Sequence, residues 1–209
     1  GRGLPEGAEA EMHDAGVPDW YIGSCRKIKY LFPKAHAVAY VMMAFRIAWF
    51  KVHRPLEFYS AYFYRRSQKD AFDAGMMLKG RDFVRRKINE IHAKSDATAK
   101  EEDLVTTLEA VYEFYMRGFE FAPMDLYECD ATRFLVVDDK RLRPPFVAIS
   151  GLGAAAANDL MSCREGGRRF ISVEELSLAC PKVSQAHIEQ LRATGALGDM
   201  PEESQMTLF

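Results

Sequence analysis

Lys34 and His36 stand where a helix least favours positive charge. The stretch Tyr30-Leu31-Phe32-Pro33-Lys34-Ala35-His36-Ala37-Val38-Ala39-Tyr40 reads as a helix opened by Pro33. Its φ is already helical, and the N–H it lacks would be unpaired in the first turn. Lys34 and His36 then face the positive end of the helix dipole. A basic pair there makes most physical sense around an anion, because first-turn N–H groups already form an anion site. The plain alternative is two solvated side chains at a frayed end. The surrounding charge weighs toward the anion. No carboxylate lies between Asp19 and Glu57, whereas Arg26, Lys27, Lys29, Lys34, Arg46, Lys51 and Arg54 do. A one-signed stretch of this kind raises the local concentration of phosphates.

Two more groups could do chemistry. Gly151-Leu152-Gly153 precedes an Ala-rich helix expected over 154–164. Glycines let a strand approach the backbone closely, and the helix N-terminus behind them offers N–H groups to a phosphate. Such contact carries no base identity. Ala154 to Ala157 keep the adjoining surface low. Taken alone, Gly-x-Gly is a weak signal and fits a plain turn better. At the far end stand Gln205-Met206-Thr207-Leu208-Phe209. Gln205 can hydrogen-bond at a pocket rim while Met206, Leu208 and Phe209 fill an apolar cleft as an extended peptide. The alternative is a frayed tail that ends by chance in Leu-Phe.

The elements that must position these residues are mostly helical. Hydrophobic content of 48% and aromatic content of 12% are ample for a core, and the net charge of −2 demands no nucleic acid globally. Residues 1–122 carry 19 basic and 17 acidic side chains, residues 123–209 only 9 and 13, so any DNA contact must come from local patches. The four cysteines form no Cys-x-x-Cys pair, which argues against a cysteine zinc site. No signal peptide or apolar run of spanning length is expected, since 37–50 is short and contains Arg46. The start at Gly1-Arg2-Gly3 reads as the middle of a longer polypeptide.

Helices are expected over 5–15, stopped by Gly16, and from Pro18 to about Lys29, with Trp20, Tyr21, Cys25 and Ile28 as apolar contacts. The helix from Pro33 reads as buried and closes at His53-Arg54-Pro55. Further helices follow from Leu56, with Phe58, Tyr59, Tyr62 and Phe63 as core packing, and over 72–92. Thr98-x-x-Glu101 has capping-box spacing, and Leu104, Val105, Leu108, Val111 and Tyr112 repeat with helical period up to Gly118. At Pro123 the pattern changes: strands are expected over 124–130 and 133–137, a turn at Asp138-Asp139-Lys140 and a returning strand over 141–143. Ser172-x-x-Glu175 is a second capping box with Ile171 and Leu176 as a staple. Ser184 caps a last helix, with Val183 and Ile188 as staple and Gly195 as stop.

Phe32-Pro33-Lys34-Ala35-His36-Ala37-x-Ala39-Tyr40-Val41 resembles a fingers motif of the C family of bacterial replicative DNA polymerases. Pro33 makes it similar to the PolC type of DNA polymerase III alpha subunit. The likeness continues through Phe50-Lys51-Val52-His53-x-Pro55, Asp125-Leu126-Tyr127, Pro144-Pro145-Phe146, Gly151-Leu152-Gly153 and the last five residues. It implies a mainly α chain with a small β element. Residues 1–122 would be helical fingers, 123–202 a helix-hairpin-helix duplex-binding domain, and 203–209 a sliding-clamp-binding tail. Lys34, His36, Arg26, Tyr30, Phe32 and Tyr40 would surround the incoming dNTP. Gly151, Leu152, Gly153, Ala154, Lys182 and Ser184 would meet duplex DNA, and Gln205, Met206, Thr207, Leu208 and Phe209 the clamp. Met206 and Thr207 depart from the family's Gln-Leu-Ser/Asp-Leu-Phe peptide; Met for Leu is near volume-conserving. The family also implies phosphoryl transfer with Mg2+ held by palm carboxylates. No acidic triad is present; Asp138-Asp139 reads as a solvated turn, so no metal ligand and no polymerisation are expected of this stretch alone. A cytoplasmic location without membrane contact follows from the same likeness. The other reading is a stand-alone helix-hairpin-helix adaptor without catalytic activity.

Overall fold

The structure is a computed structural model that describes residues 4–27, 34–69 and 71–204. Residues 1–49 and 50–209 form two compact units, the division falling within the longest helix.

In the first unit, Pro18 opens a helix as expected. α1 spans Ala8–Asp14 and α2 Asp19–Lys27. The chain leaves α1 through Gly16 at φ +74°. There the Val17 N–H reaches the Met12 carbonyl at 2.9 Å, the long bond of a Schellman stop. Ile22 is the buried contact of α2, while Trp20 and Tyr21 face solvent. That corrects the expectation for those two aromatics: at successive positions they point away from the side Ile22 occupies. α3 spans Lys34–His53. Its body was expected to be buried. Instead, Val38, Tyr40, Val41, Phe45, Ile47, Trp49 and Phe50 are all exposed, Phe45 at 74%. An apolar run reports what a helix needs to cover, not whether its own stretch of chain buries it. A second correction follows. The helix runs beyond Phe50, so 19 residues, Ala35–His53, are long and apolar enough by length and composition to cross a membrane. Arg46 near the middle counts against insertion by about 2.5–3.5 kcal/mol.

The second unit holds a single continuous core from Leu56 to Leu197. α4, Pro55–Ser67, presents Tyr59 and Phe63 to it. With Phe72, Phe114, Phe121 and Phe134 they form a ring cluster in which Phe72 and Phe134 meet edge-on at 5.0 Å. Edge and offset contacts of this kind add to the area buried. The helix expected over 72–92 is two helices, α5 (Ala74–Met77) and α6 (Arg81–His92). Gly80 at φ +91° interrupts them. α7, Ala99–Met116, opens on a closed capping box. The Thr98 hydroxyl accepts from the Glu101 N–H at 3.3 Å, and the Glu101 carboxylate accepts from the Thr98 N–H at 2.9 Å. Lys51 and Tyr59 both bond the Glu113 carboxylate, at 2.8 and 2.9 Å.

The sheet is smaller than expected and ordered β1-β3-β2. β1 is Glu120–Phe121, β2 Leu135–Val136 and β3 Arg141–Arg143. β3 pairs antiparallel with β2 as expected, in register Val136↔Leu142, and also parallel with β1, Phe121↔Leu142. Residues 124–130 are not a strand. The Asp125 carboxylate accepts from the N–H groups of Tyr127 at 2.7 Å and Glu128 at 3.0 Å, which turns the chain back on itself. Asp138 does make the expected turn, bonding the Lys140 and Arg141 N–H groups, but it is ion-paired with Arg141 at 2.7 Å rather than simply solvated. The chain then runs through a 3₁₀ turn at Phe146–Ala148 into α8 (Ala154–Cys163), α9 (Val173–Ala179) and α10 (Gln185–Ala193).

Candidate nucleic-acid interface

The hairpin ahead of α8 is set by burial on either side of two exposed glycines. Phe146, Ala148, Ile149 and Leu152 are buried, and the Leu152 N–H bonds the Ile149 carbonyl at 3.0 Å. Beneath, Phe146 and Val147 donate to the carbonyls of Asp130 and Ala131, each at 3.0 Å. The half-buried Arg164 guanidinium donates to the carbonyls of Leu126 and Cys129 and lies 5.6 Å from the centre of the Phe146 ring. Burial lowers the Arg164 pKa from its ordinary value. At Asp130, burial raises the carboxyl's pKa. The N–H groups of Thr132 and Arg133 with the Arg133 guanidinium outweigh that and hold it below the carboxylate range. The hairpin therefore stands on a fixed base.

Its two glycines differ. Gly151 sits at φ +81°, a region costing other L-residues about 1–2 kcal/mol. Gly153 has φ −71° and ψ 166°, angles open to any residue, and a Cβ there would meet nothing within 4 Å. No side chain caps α8, so its first N–H groups face outward over Gly153 and the exposed Ala154. A groove of about 380 Å³ runs beside the hairpin, lined by Phe72, Asp73, Lys100, Val147 and Ser150 among others.

A second hairpin leads into α10. The Val183 N–H bonds the Cys180 carbonyl at 3.0 Å, and the Lys182 N–H bonds Asp159 of α8 at 2.9 Å. The Lys182 side chain is exposed. Ser184 caps α10 as expected, with Val183 and Ile188 buried beneath it. Gly151, Gly153, Ala154, Lys182 and Ser184 thus belong to two hairpins bonded to each other through α8 and α10. Leu152 is only 2% exposed, so its side chain braces the hairpin and can offer nothing to a ligand. The Ser172 box is only half formed. Ser172 accepts from the Glu175 N–H at 3.1 Å, but the Glu175 carboxylate accepts from Ile171 instead, at 2.9 Å. Ile171 itself is 68% exposed, so the expected staple with Leu176 is absent.

Of the expected dNTP residues, His36 and Tyr40 lie one turn apart on α3 with ring centres 4.5 Å apart. Arg26 is ion-paired with Glu9 of α1. Tyr30, Phe32, Gln205, Met206, Thr207, Leu208, Phe209 and the Lys34 side chain lie outside the described residues. Among the described residues no group of three or more His, Cys, Asp or Glu could hold a metal ion. Asp138 is already engaged by Arg141. The donors among the described residues do not fit Mg2+. The sequence reading missed His187 and Asp159, which link the hairpins; the Ser184-x-x-His187 spacing was the available signal.

The profile of the helix-hairpin-helix motif matches residues 118–206. The helical, two-hairpin half of the molecule is a domain of that class. Over its whole length the chain is 46% identical to the PolC-type DNA polymerase III of Thermotoga maritima, 49% to that of Bacillus cereus and 47% to that of Bacillus subtilis. The chain belongs to the PolC-type DNA polymerase III family, and it spans 14–15% of the length of these relatives.

Proposed function

We propose that residues 123–202 grip the backbone of duplex DNA through the Gly151–Ala154 hairpin, within a PolC-like DNA polymerase that carries its catalytic carboxylates elsewhere. The observation that carries this is Gly153. The fold makes no steric or torsional demand for glycine there, and an uncapped helix N-terminus lies directly behind it. A missing side chain that the chain itself does not need suits a close-approaching phosphate. On the same reading, residues 1–122 serve as fingers. Lys34 and His36 then meet the triphosphate of the incoming dNTP, with Arg26, Tyr30, Phe32 and Tyr40 around it. Residues 205–209 bind the sliding clamp as an extended peptide. The family likeness supports these finer roles, together with a cytoplasmic setting.

Gly153→Val in the intact protein is the direct test. It should weaken duplex binding at least tenfold while lowering the thermal midpoint by only a few degrees, the loss of a glycine N-cap, and wild-type affinity should fall as salt rises. Unchanged affinity in the variant would remove the hairpin from the interface.

A further inference from the structure

His187 joins the two hairpins with one ring. Its Nδ1 accepts from the Ser184 N–H at 3.2 Å, and the His187 backbone N–H donates to the Ser184 hydroxyl at 3.3 Å. Its Nε2 lies 3.0 Å from the Gly151 carbonyl, 36 residues away in sequence. An N–H donor at Ser184 requires Nδ1 to be bare, so in the neutral ring Nε2 carries the proton and donates to Gly151. Among the described residues no backbone N–H uses that carbonyl. Gly151 is also where the hairpin is torsionally freest, because a glycine at φ +81° has neighbouring conformations open to it. The ring is half-buried and planar, so it fixes the peptide that follows Gly151 against the start of α10.

We propose that His187 is a positioning residue for duplex binding. By tethering Gly151 to Ser184, it sets the orientation in which the N-termini of α8 and α10 meet one DNA backbone. This rests on the hairpin reading above. Without the tether the Gly151 peptide must be ordered on binding, and a lost hydrogen bond of this kind is worth about fivefold in affinity.

The test measures duplex affinity and thermal midpoint in the intact protein for four variants. His187→Leu keeps the bulk of the ring and loses both bonds; it should bind about fivefold more weakly. His187→Gln retains one donor and one acceptor and completes a Ser-x-x-Gln box; it should stay within about twofold of wild type. Thr98→Ala removes a helix cap of similar worth on α7 and should leave affinity unchanged. Gly153→Val reports on the interface itself. If His187→Leu binds like wild type while Gly153→Val is impaired, the tether is refuted and the hairpin interface stands. Equal impairment of His187→Leu and His187→Gln, or of His187→Leu and Thr98→Ala, also refutes the tether. If Gly153→Val binds like wild type, the interface fails and the tether with it.

Discussion

The starts of α3 and α8, each proposed to meet a phosphate, are built in opposite ways. α3 carries basic residues there, Lys34 and His36, and exposes much of its apolar body. α8 carries no charge in its first turn, and Ala156, Ala157 and Leu160 seat it in the core. The contrast separates two routes to an anion site. Cations supply attraction wherever the helix is held. A bare N-terminus offers only directed N–H groups, which are of use only if something rigid aims them. Within this chain α8 has that support along its buried face, whereas α3 is bonded to the rest of the second unit at its C-terminal end, where Lys51 bonds Glu113.

The largest expected effect tests the seating. Leu160→Ala should cost about 2–5 kcal/mol, since a fully buried leucine leaves a cavity. Phe45→Ala on α3 should fall within about 0.5 kcal/mol of wild type, as for other exposed positions. Chemical denaturation of the two variants measures both. Equal losses would break the contrast by showing that α3 is covered in solution.

That contrast was half legible in the sequence. Pro33, Pro55 and the apolar run bounded α3 well, but an apolar run cannot say whether its cover lies in the same stretch of chain. The Thr98 box and the Gly118 and Gly195 stops were legible because each rests on residues three or four positions apart. The supposed strand over 124–130 failed because Asp125 offers its own backbone a turn, an alternative that competes with any strand pattern. β1 was missed because it is two residues long and pairs parallel to β3. At the candidate interface, Gly151 and Gly153 were visible by type. His187 was not, because the box was sought with Glu or Gln at its third position and the partner carbonyl lies 36 residues back.

A smaller effect separates the two glycines of the α8 hairpin. Gly151→Ala should cost about 1–2 kcal/mol from the left-handed backbone alone. Gly153→Ala, at ordinary angles with open space around it, should cost less, about 0.5 kcal/mol, the loss of a glycine N-cap. Thermal unfolding of the pair measures the difference. If both are neutral, the hairpin is not held in the described conformation, and the preorganisation assigned to α8 fails.

The smallest effect uses a third N-terminus, that of α7, which its own side chains close. The Lys94 ammonium, then the Thr98 N–H and hydroxyl, hold the Glu101 carboxyl at about 2, against an ordinary 4.5. A carboxyl depressed in the folded state stabilises fully above its unfolded pKa and loses that contribution as pH falls through the folded value. The window therefore runs from about 4.5 down to about 2. Other paired carboxylates titrate nearby, so the measurement is the stability difference between wild type and Glu101→Gln. The Gln side chain keeps the box but cannot ionise, so the difference should be steady near neutrality and shrink across that window. Duplex affinity at neutral pH should be the same for Glu101→Gln and wild type, because the N–H groups offered at α8 do not depend on the α7 cap. If affinity tracked Glu101, the α7 and α8 N-termini would be coupled, and the separation of closed from open helix starts would be lost.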